Sequence, residues 1–307
     1  MALNPDQYRL SELDHKAIFD QVIERRLFAT AQSVSQPVAI IFGGQPGAGK
    51  SAAVEVAEHE LMARGGCVQI IGDDFRKYHP RFSDLLRADD KTAAFYTDRD
   101  TGQWVEKAIS RAKELRTHIL IEGTMRDGNK VAQTMESLRT ADYLIDARAL
   151  AVNGLLSMQG ILQRYENQKA DRGIGRMTTP EAHMAAYEGM PITLERIEQE
   201  KLADRITLYR RGVIPIYSNT LENGTWAKEP QARAALLAER ARPMNQQEMQ
   251  GYVQGYDRLV EQMALSGRGA TSTELQVVQT LRAQAHALHA QVQAQQSPVH
   301  ASVKPSL

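Results

Sequence analysis

The octapeptide Gly44-Gln45-Pro46-Gly47-Ala48-Gly49-Lys50-Ser51 constrains the fold of this chain more than any other stretch. It fits G-x-x-x-x-G-K-[ST], and its flanks fit as well. An apolar run of strand length, residues 37–42, precedes it, and a helical pattern over residues 51–63 follows. Strand, glycine loop and helix in that order make a phosphate-binding P-loop. Glycines let the main chain curl round an anion with no Cβ in the way. The loop N–H groups and the helix N-terminus then point at phosphate oxygens. In that arrangement Gly44, Gln45, Pro46, Gly47, Ala48 and Gly49 cradle the nucleotide. Lys50 reaches the β- and γ-phosphates, and the Ser51 hydroxyl ligates Mg²⁺.

From residue 37 onward the pattern alternates strands and helices. After the P-loop helix, Arg64-Gly65-Gly66 stops it, and residues 67–71 read as a second strand. Residues 81–116 are charged and helical, closing on a helix over 103–115. A third strand over 118–121, a helix over 129–139 and a fourth strand over 141–150 follow. Residues 153–170 are helical, a loop covers 172–175, and a further helix starts at Pro180. Residues 203–209 read as a fifth strand and 213–217 as a sixth, which Pro215 assigns to a sheet edge. The implied fold class is α/β, a mostly parallel sheet with helices on both faces. Helical segments flank it. A helix over 14–32 is expected to carry Ile18, Val22, Leu27 and Ala31 on its apolar stripe. Near the C-terminus, Leu275, Val278, Leu281, Ala285, Leu288 and Val292 step by three or four residues onto one helical face. The organisation expected is an N-terminal helical segment (1–36), a main domain (37–220), a C-terminal helical extension (221–296) and a disordered tail (297–307).

Composition narrows the partners. Lys plus Arg is 37 and Asp plus Glu is 37, so the net charge is zero, which argues against a nucleic-acid partner. Hydrophobic residues make up 42%, enough for a sizeable core. The single cysteine, Cys67, excludes an intrachain disulfide and a cysteine-based zinc site. No apolar run reaches membrane-spanning length and the N-terminus is polar, so a cytoplasmic location with no membrane partner is expected.

Asp73 stands where the second strand ends, at the edge where open α/β sheets bind ligands. A carboxylate there can take the proton from a substrate hydroxyl that attacks a γ-phosphate. Position alone leaves helix capping or indirect Mg²⁺ ligation equally open, and Asp74 competes one residue on.

These stretches resemble a known family. Gly-Gly-Gln-Pro-Gly-Ala-Gly-Lys-Ser at 43–51, Asp-Asp-Phe-Arg-Lys-Tyr-His-Pro at 73–80, Ile-Glu-Gly-Thr at 121–124 and Arg-Tyr-Glu at 164–166, then Arg176 and Thr179-Pro180, are similar to the zeta toxins. Zeta toxins are bacterial P-loop kinases of toxin–antitoxin systems, and the likeness spans residues 15–220. It implies a P-loop kinase-like fold and ATP or GTP as phosphate donor. The implied acceptor is the sugar 3′-hydroxyl of UDP-N-acetylglucosamine, whose loss blocks cell-wall precursor synthesis, and the implied protein partner is an antitoxin. Lys50 and Ser51 match the P-loop lysine and the Mg²⁺ ligand, and Asp73 matches the general base. Glu106 matches an acidic residue that contacts the amino-sugar nucleotide, and Glu122 and Thr124 match a segment lining the substrate cleft. Arg164 and Arg176 match two arginines that clamp phosphates, a role that suits guanidiniums where charge develops on oxygen. The interval from Arg176 to Pro180 is one residue longer than the family's, which leaves Arg172 as an alternative second arginine.

The resemblance also implies, as an alternative, a P-loop kinase of another nucleotide metabolite such as NAD. On the residues alone two other classes stay open. One is a P-loop ATPase without a small-molecule acceptor, in which Ile119-Leu120-Ile121-Glu122 would imitate the hydrophobic strand closed by an acidic residue. The other is a binding module in which the C-terminal helices do the work.

Overall fold

The computed structural model describes residues 3–296; the expected tail at 297–307 lies outside the described residues. Seven strands form one sheet in the order β2 (Val68–Ile71), β3 (Ile119–Glu122), β1 (Val38–Gly43), β4 (Leu144–Leu150), β5 (Arg205–Arg210), β6 (Ile214–Glu222), β7 (Thr225–Trp226). The first five run parallel, and β6 and β7 are antiparallel additions at one edge. This is the α/β class expected from the strand–helix alternation.

Alternating side chains of β1 build the two faces. Val38, Ile40 and Phe42 pack with Ala53, Val54, Ala57 and Leu61 of α3 (Lys50–Met62). Ala39 and Ile41 point the other way, into a larger core. That core is filled from α6 (Ala93–Leu115), α7 (Gly128–Thr140), α9 (Pro180–Gln199) and α10 (Ala232–Ala241), with Trp104, Met135, Leu194 and Leu236 among its fully covered side chains. Because β1 is buried along its whole length, it reads as an unbroken apolar run rather than an alternating one.

The N-terminal helix differs from expectation. It is built from α1 (Glu12–Ile18), a π turn (Phe19–Ile23) and α2 (Glu24–Leu27), and it starts at the Ser11 cap, whose hydroxyl accepts from the Asp14 amide. The wide turn shifts the face, so Phe19 and Ile23 are the buried pair. Ile18, Leu27 and Ala31 lie only at the margin of the core. Trp104 donates its indole N–H to the His15 carbonyl at 3.0 Å and stacks on the His15 ring, which fastens this segment to α6.

At the other edge, β6 is longer than the run read from sequence. Pro215 pairs with Tyr209 beside a register shift, in keeping with a proline at a sheet edge. The strand continues to Glu222 and turns back through Asn223 (φ 51°) and Gly224 (φ 75°) into β7. Two successive positive φ values make the mirror-image turn that suits the twist of a hairpin.

Beyond α10, helices α11 (Gln246–Ala264) and α12 (Ser272–Gln296) pack on each other and on α8 (Gly154–Arg172). The stripe read at Leu275 to Val292 is the face turned toward α11, with Val278 and Ala285 fully covered. A buried two-pronged ion pair between Arg268 and Glu166 ties this layer to α8. Among the described residues no helix is long and apolar enough to cross a membrane.

Candidate active site

The sheet register gathers the site. Glu122, the last residue of β3, lies level with Phe42 on β1 and with Ile71 on β2. Parallel strands end at the same edge, so the P-loop after β1, Asp73 after β2 and the 123–127 loop after β3 all open on one crevice. That edge is where such sheets bind ligands.

Gly47 (φ 78°) and Gly49 (φ 86°) give the P-loop its left-handed bends. A Cβ on Gly47 would lie 1.9 Å from the Ser157 carbonyl oxygen, so the loop rests directly on α8. Gly43 is needed for a different reason: a Cβ there would lie 2.4 Å from the Met125 sulfur. The loop runs into α3, which begins at Lys50, with Ser51 exposed on its first turn.

The Lys50 ammonium donates to the Gly44 carbonyl at 2.8 Å and lies 3.7 Å from Glu122 Oε1. Burial pushes the Lys50 pKa down, against the pull of Glu122 and Asp73. Burial also pushes the Glu122 pKa up, and Lys50 opposes it. Burial thus disfavours the charged form of both groups, and each is the other's counter-charge.

Asp73 sits in α4 (Gly72–Phe75), its side chain 47% accessible and so within reach of a substrate. Arg176 forms an ion pair with its Oδ2, and Arg76 Nε donates to its Oδ1 at 3.1 Å. Partial loss of water in the crevice would by itself raise the Asp73 pKa, but Arg176 and Arg76, with Arg164 behind them, hold it below the usual carboxylate range. Arg76 is itself buried and braced by the Ala94 carbonyl, Thr97 and Asp98 of α6. Its role was not read from sequence, although its i, i+3 spacing from Asp73 within a helical turn carried the signal. Asp74 is exposed beside it.

Arg164 projects from α8. Its Nη2 donates to the Thr178 hydroxyl at 2.6 Å, and its Nε is buried without a hydrogen-bond partner. Arg172 is exposed at the last turn of the same helix, whereas Arg176 reaches Asp73. Thr124 lies half-buried in the loop after β3.

The structure therefore brings together Lys50, Asp73, Glu122, Arg164 and Arg176. It does not bring Glu106 into that group. Glu106 lies on α6, 61% accessible, paired with Lys130 at 3.0 Å. It also lines a wide groove shared with Arg9, His15, Glu24, Gln103 and Lys107, which contains none of the P-loop residues.

The residues fit a magnesium nucleotide. The Arg164 guanidinium leaves its Nε without a hydrogen-bond partner, and the Lys50 ammonium is held by a carbonyl at 2.8 Å with Glu122 at 3.7 Å. Ser51, exposed on the first turn of α3 beside Lys50, offers a hydroxyl of the kind Mg²⁺ takes alongside phosphate oxygens and water.

Cys67, half-buried, has its thiol pKa pushed up to about 11 by burial and is a poor nucleophile.

Phosphoryl transfer asks a protein mainly for position and positive charge. A chain that sets a P-loop lysine, two arginines and a carboxylate at one sheet edge is by class a P-loop nucleotide-binding kinase. Comparison with known proteins narrows that class. The family model described as Zeta toxin matches residues 20–222, and the chain belongs to that family.

Toxin zeta of Streptococcus agalactiae is 31% identical over 195 residues, covering 63% of this chain and 67% of that one. Toxin PezT of Streptococcus pneumoniae serotype 4 (strain ATCC BAA-334 / TIGR4) is 31% identical over 206 residues, covering 67% of this chain and 80% of PezT. A solved structure from the PezAT chromosomal toxin–antitoxin system of the human pathogen Streptococcus pneumoniae superposes with a TM-score of 0.72 at 25% identity. It covers 84% of this chain and 100% of that one. The AvrRxo1-ORF1:AvrRxo1-ORF2 complex with sulphate ions, at TM-score 0.50 and 12% identity over 90% of this chain and 88% of that one, shares the fold alone.

Proposed function

We propose that this protein transfers the γ-phosphate of ATP or GTP to the sugar 3′-hydroxyl of UDP-N-acetylglucosamine, with Asp73 as the general base. The observation that carries the reading is the accessible Asp73 carboxylate in the crevice that Lys50 and Glu122 share. Membership of the zeta toxin family supports the choice of acceptor. An antitoxin is proposed as protein partner, because a neighbouring structure comes from a toxin–antitoxin system.

The residues divide the work by chemistry. Residues 44–49 offer main-chain N–H groups to the phosphates. Lys50 leaves the Gly44 carbonyl and neutralises charge on the terminal phosphate. Bound Mg²⁺ would be held by the Ser51 hydroxyl and nucleotide oxygens, and it supplies charge neutralisation as the phosphoryl group leaves. Arg164 and Arg176 stand where negative charge develops, and Arg164 has an unused donor to give. Asp73 accepts the proton of the attacking hydroxyl. For that, Arg176 must give up its hold on the carboxylate, and an incoming phosphate is the competing anion. Glu122 and Thr124 are left to hydrogen-bond hydroxyl or amide groups of the acceptor. Glu106 pairs with Lys130 rather than with this group. Its proposed role in acceptor binding rests on the family alone.

The test is a side-by-side assay with Mg²⁺, ATP and one acceptor at a time. Phosphorylation of UDP-N-acetylglucosamine, with little on UDP-glucose and none on NAD, is expected. A site built to pair an amide and hydroxyls rejects analogues that leave its polar groups unpaired. Phosphorylation of NAD and not of the amino sugar would keep the kinase and remove this acceptor.

Arg176→Ala tests the base. Asp73 works deprotonated, so kcat/KM falls as pH drops through its pKa. Arg176 is the largest influence holding that pKa down, against burial. Without it the pKa rises, and the acid limb of kcat/KM against pH moves to higher pH. The midpoint of that limb is the readout, because the height of the profile also reflects lost phosphate contacts. An acid limb that stays in place would separate Asp73 from the rate.

A further inference from the structure

Arg240 lies on α10, beyond residue 222 where the family match ends. It is 4% exposed and has no carboxylate partner among the described residues. Its Nη2 donates to Gln45 Oε1 at 3.0 Å and its Nη1 to the Tyr187 carbonyl at 2.6 Å. The guanidinium lies 3.9 Å from the Tyr187 ring centroid, and its Nε is buried without a hydrogen bond. Burial with so little compensation lowers its pKa to about 10. Arginines are almost never buried unless paired, so this one calls for a reason.

Its main side-chain partner is the reason. Gln45, the second residue of the P-loop, is fully buried. Its Nε2 donates to the Val152 carbonyl at 2.7 Å and to the Ser157 hydroxyl at 3.3 Å. Ser157 is in turn 2.8 Å from His183 Nε2, and its main chain supports Gly47. The loop therefore rests on α8 and α9 and is fastened from beneath by one side chain of α10.

We propose that Arg240 is a positioning residue of the nucleotide site. Through Gln45 it fixes the P-loop in its anion-binding curve and sets a positive charge under the phosphates. It does so from a helix outside the matched family region. The proposal rests on the reading that the P-loop binds a nucleotide.

The experiment uses the full-length protein and its Arg240→Met, Gln45→Met, double and Arg240→Lys variants. Binding of a fluorescent ATP analogue with Mg²⁺ is titrated, nucleotide and acceptor KM are measured, and thermal unfolding is followed. Loss of a hydrogen bond to a charged group is worth about tenfold or more, so each methionine variant should raise the nucleotide KM by about that factor. The acceptor KM should hold. The double variant should be no worse than the worse single, since both act through one contact. Arg240→Lys keeps the charge and should recover part of the affinity. A buried lysine titrates at lower pH than an arginine, so nucleotide KM in that variant should rise with pH where the wild type is flat.

A lower melting temperature with unchanged nucleotide affinity in every variant would mean packing only and would overturn the proposal. If Arg240→Met does not fold, Gln45→Met and Arg240→Lys carry the same test. Wild-type protein that binds no nucleotide would overturn the kinase reading and this proposal together. Wild-type binding matched by an equally competent Arg240→Met would overturn this proposal alone.

Discussion

Asp73→Asn is expected to lower kcat by about 10²–10⁴-fold while leaving nucleotide affinity intact, the range typical for loss of a positioned general base. Asparagine keeps the size of the side chain and an oxygen toward Arg76, which is held independently by Thr97, Asp98 and the Ala94 carbonyl. The local fold therefore has reason to survive. What is lost is the proton acceptor and the ion pair with Arg176. Freed of that pair, Arg176 is more available to phosphate, so nucleotide binding should be equal or tighter. Asp74→Asn is the control, since Asp74 is exposed beside the cleft and should be near wild type. Single-turnover rates and nucleotide titrations on both variants decide. Activity retained in Asp73→Asn and lost in Asp74→Asn would mean the wrong carboxylate had been assigned.

Lys50→Ala should separate activity from stability more sharply. Phosphoryl transfer should fall by at least about 10²-fold, the scale seen when one donor to a developing oxyanion is removed. The melting temperature should hardly change. Burial disfavours the Lys50 ammonium, and its hydrogen bond is to a carbonyl of its own loop. Alanine at the first residue of α3 is also the best helix former. Glu122 loses its counter-charge, and with burial already pushing its pKa up it can answer by taking a proton. A variant with undiminished turnover would remove the P-loop from the reaction. One that unfolds would show Lys50 to be part of the scaffold.

Much of the architecture was legible because parallel strands buried on both faces leave unbroken apolar runs and short glycine stops. β1 and the P-loop were read in place. What escaped was set by tertiary packing or by signals passed over. The π turn at Phe19–Ile23 carries Phe19 and Ile23 into the core, and no local residue announces it. The β6–β7 hairpin did announce itself, through Asn223-Gly224, the strongest short-range hairpin signal. The main domain expected from sequence instead closed at residue 220, with a helical extension beginning at 221.

In the site, the residues close to strand ends came together as their positions suggested, because the register fixes them. Glu106 is set by the rotation of a long helix, which sequence does not give, and it faces Lys130. Arg240 was invisible for a plainer reason. One arginine in a helix of alanines, leucines and a few charges looks like any solvated residue, and only the fold reveals that it bonds Gln45.

The ion pair between Arg176 and Asp73 bears on what happens when no acceptor is present. Water is always at hand, and a kinase whose carboxylate stood free would spend nucleotide on it. Here, before nucleotide binds, the carboxylate is occupied by a guanidinium and its basicity is low, and the arriving phosphate is what draws that guanidinium away. On this reading the bound nucleotide itself arms the carboxylate, and a parallel reaction with Mg²⁺ and ATP but no acceptor should show slow release of phosphate that Asp73→Asn abolishes.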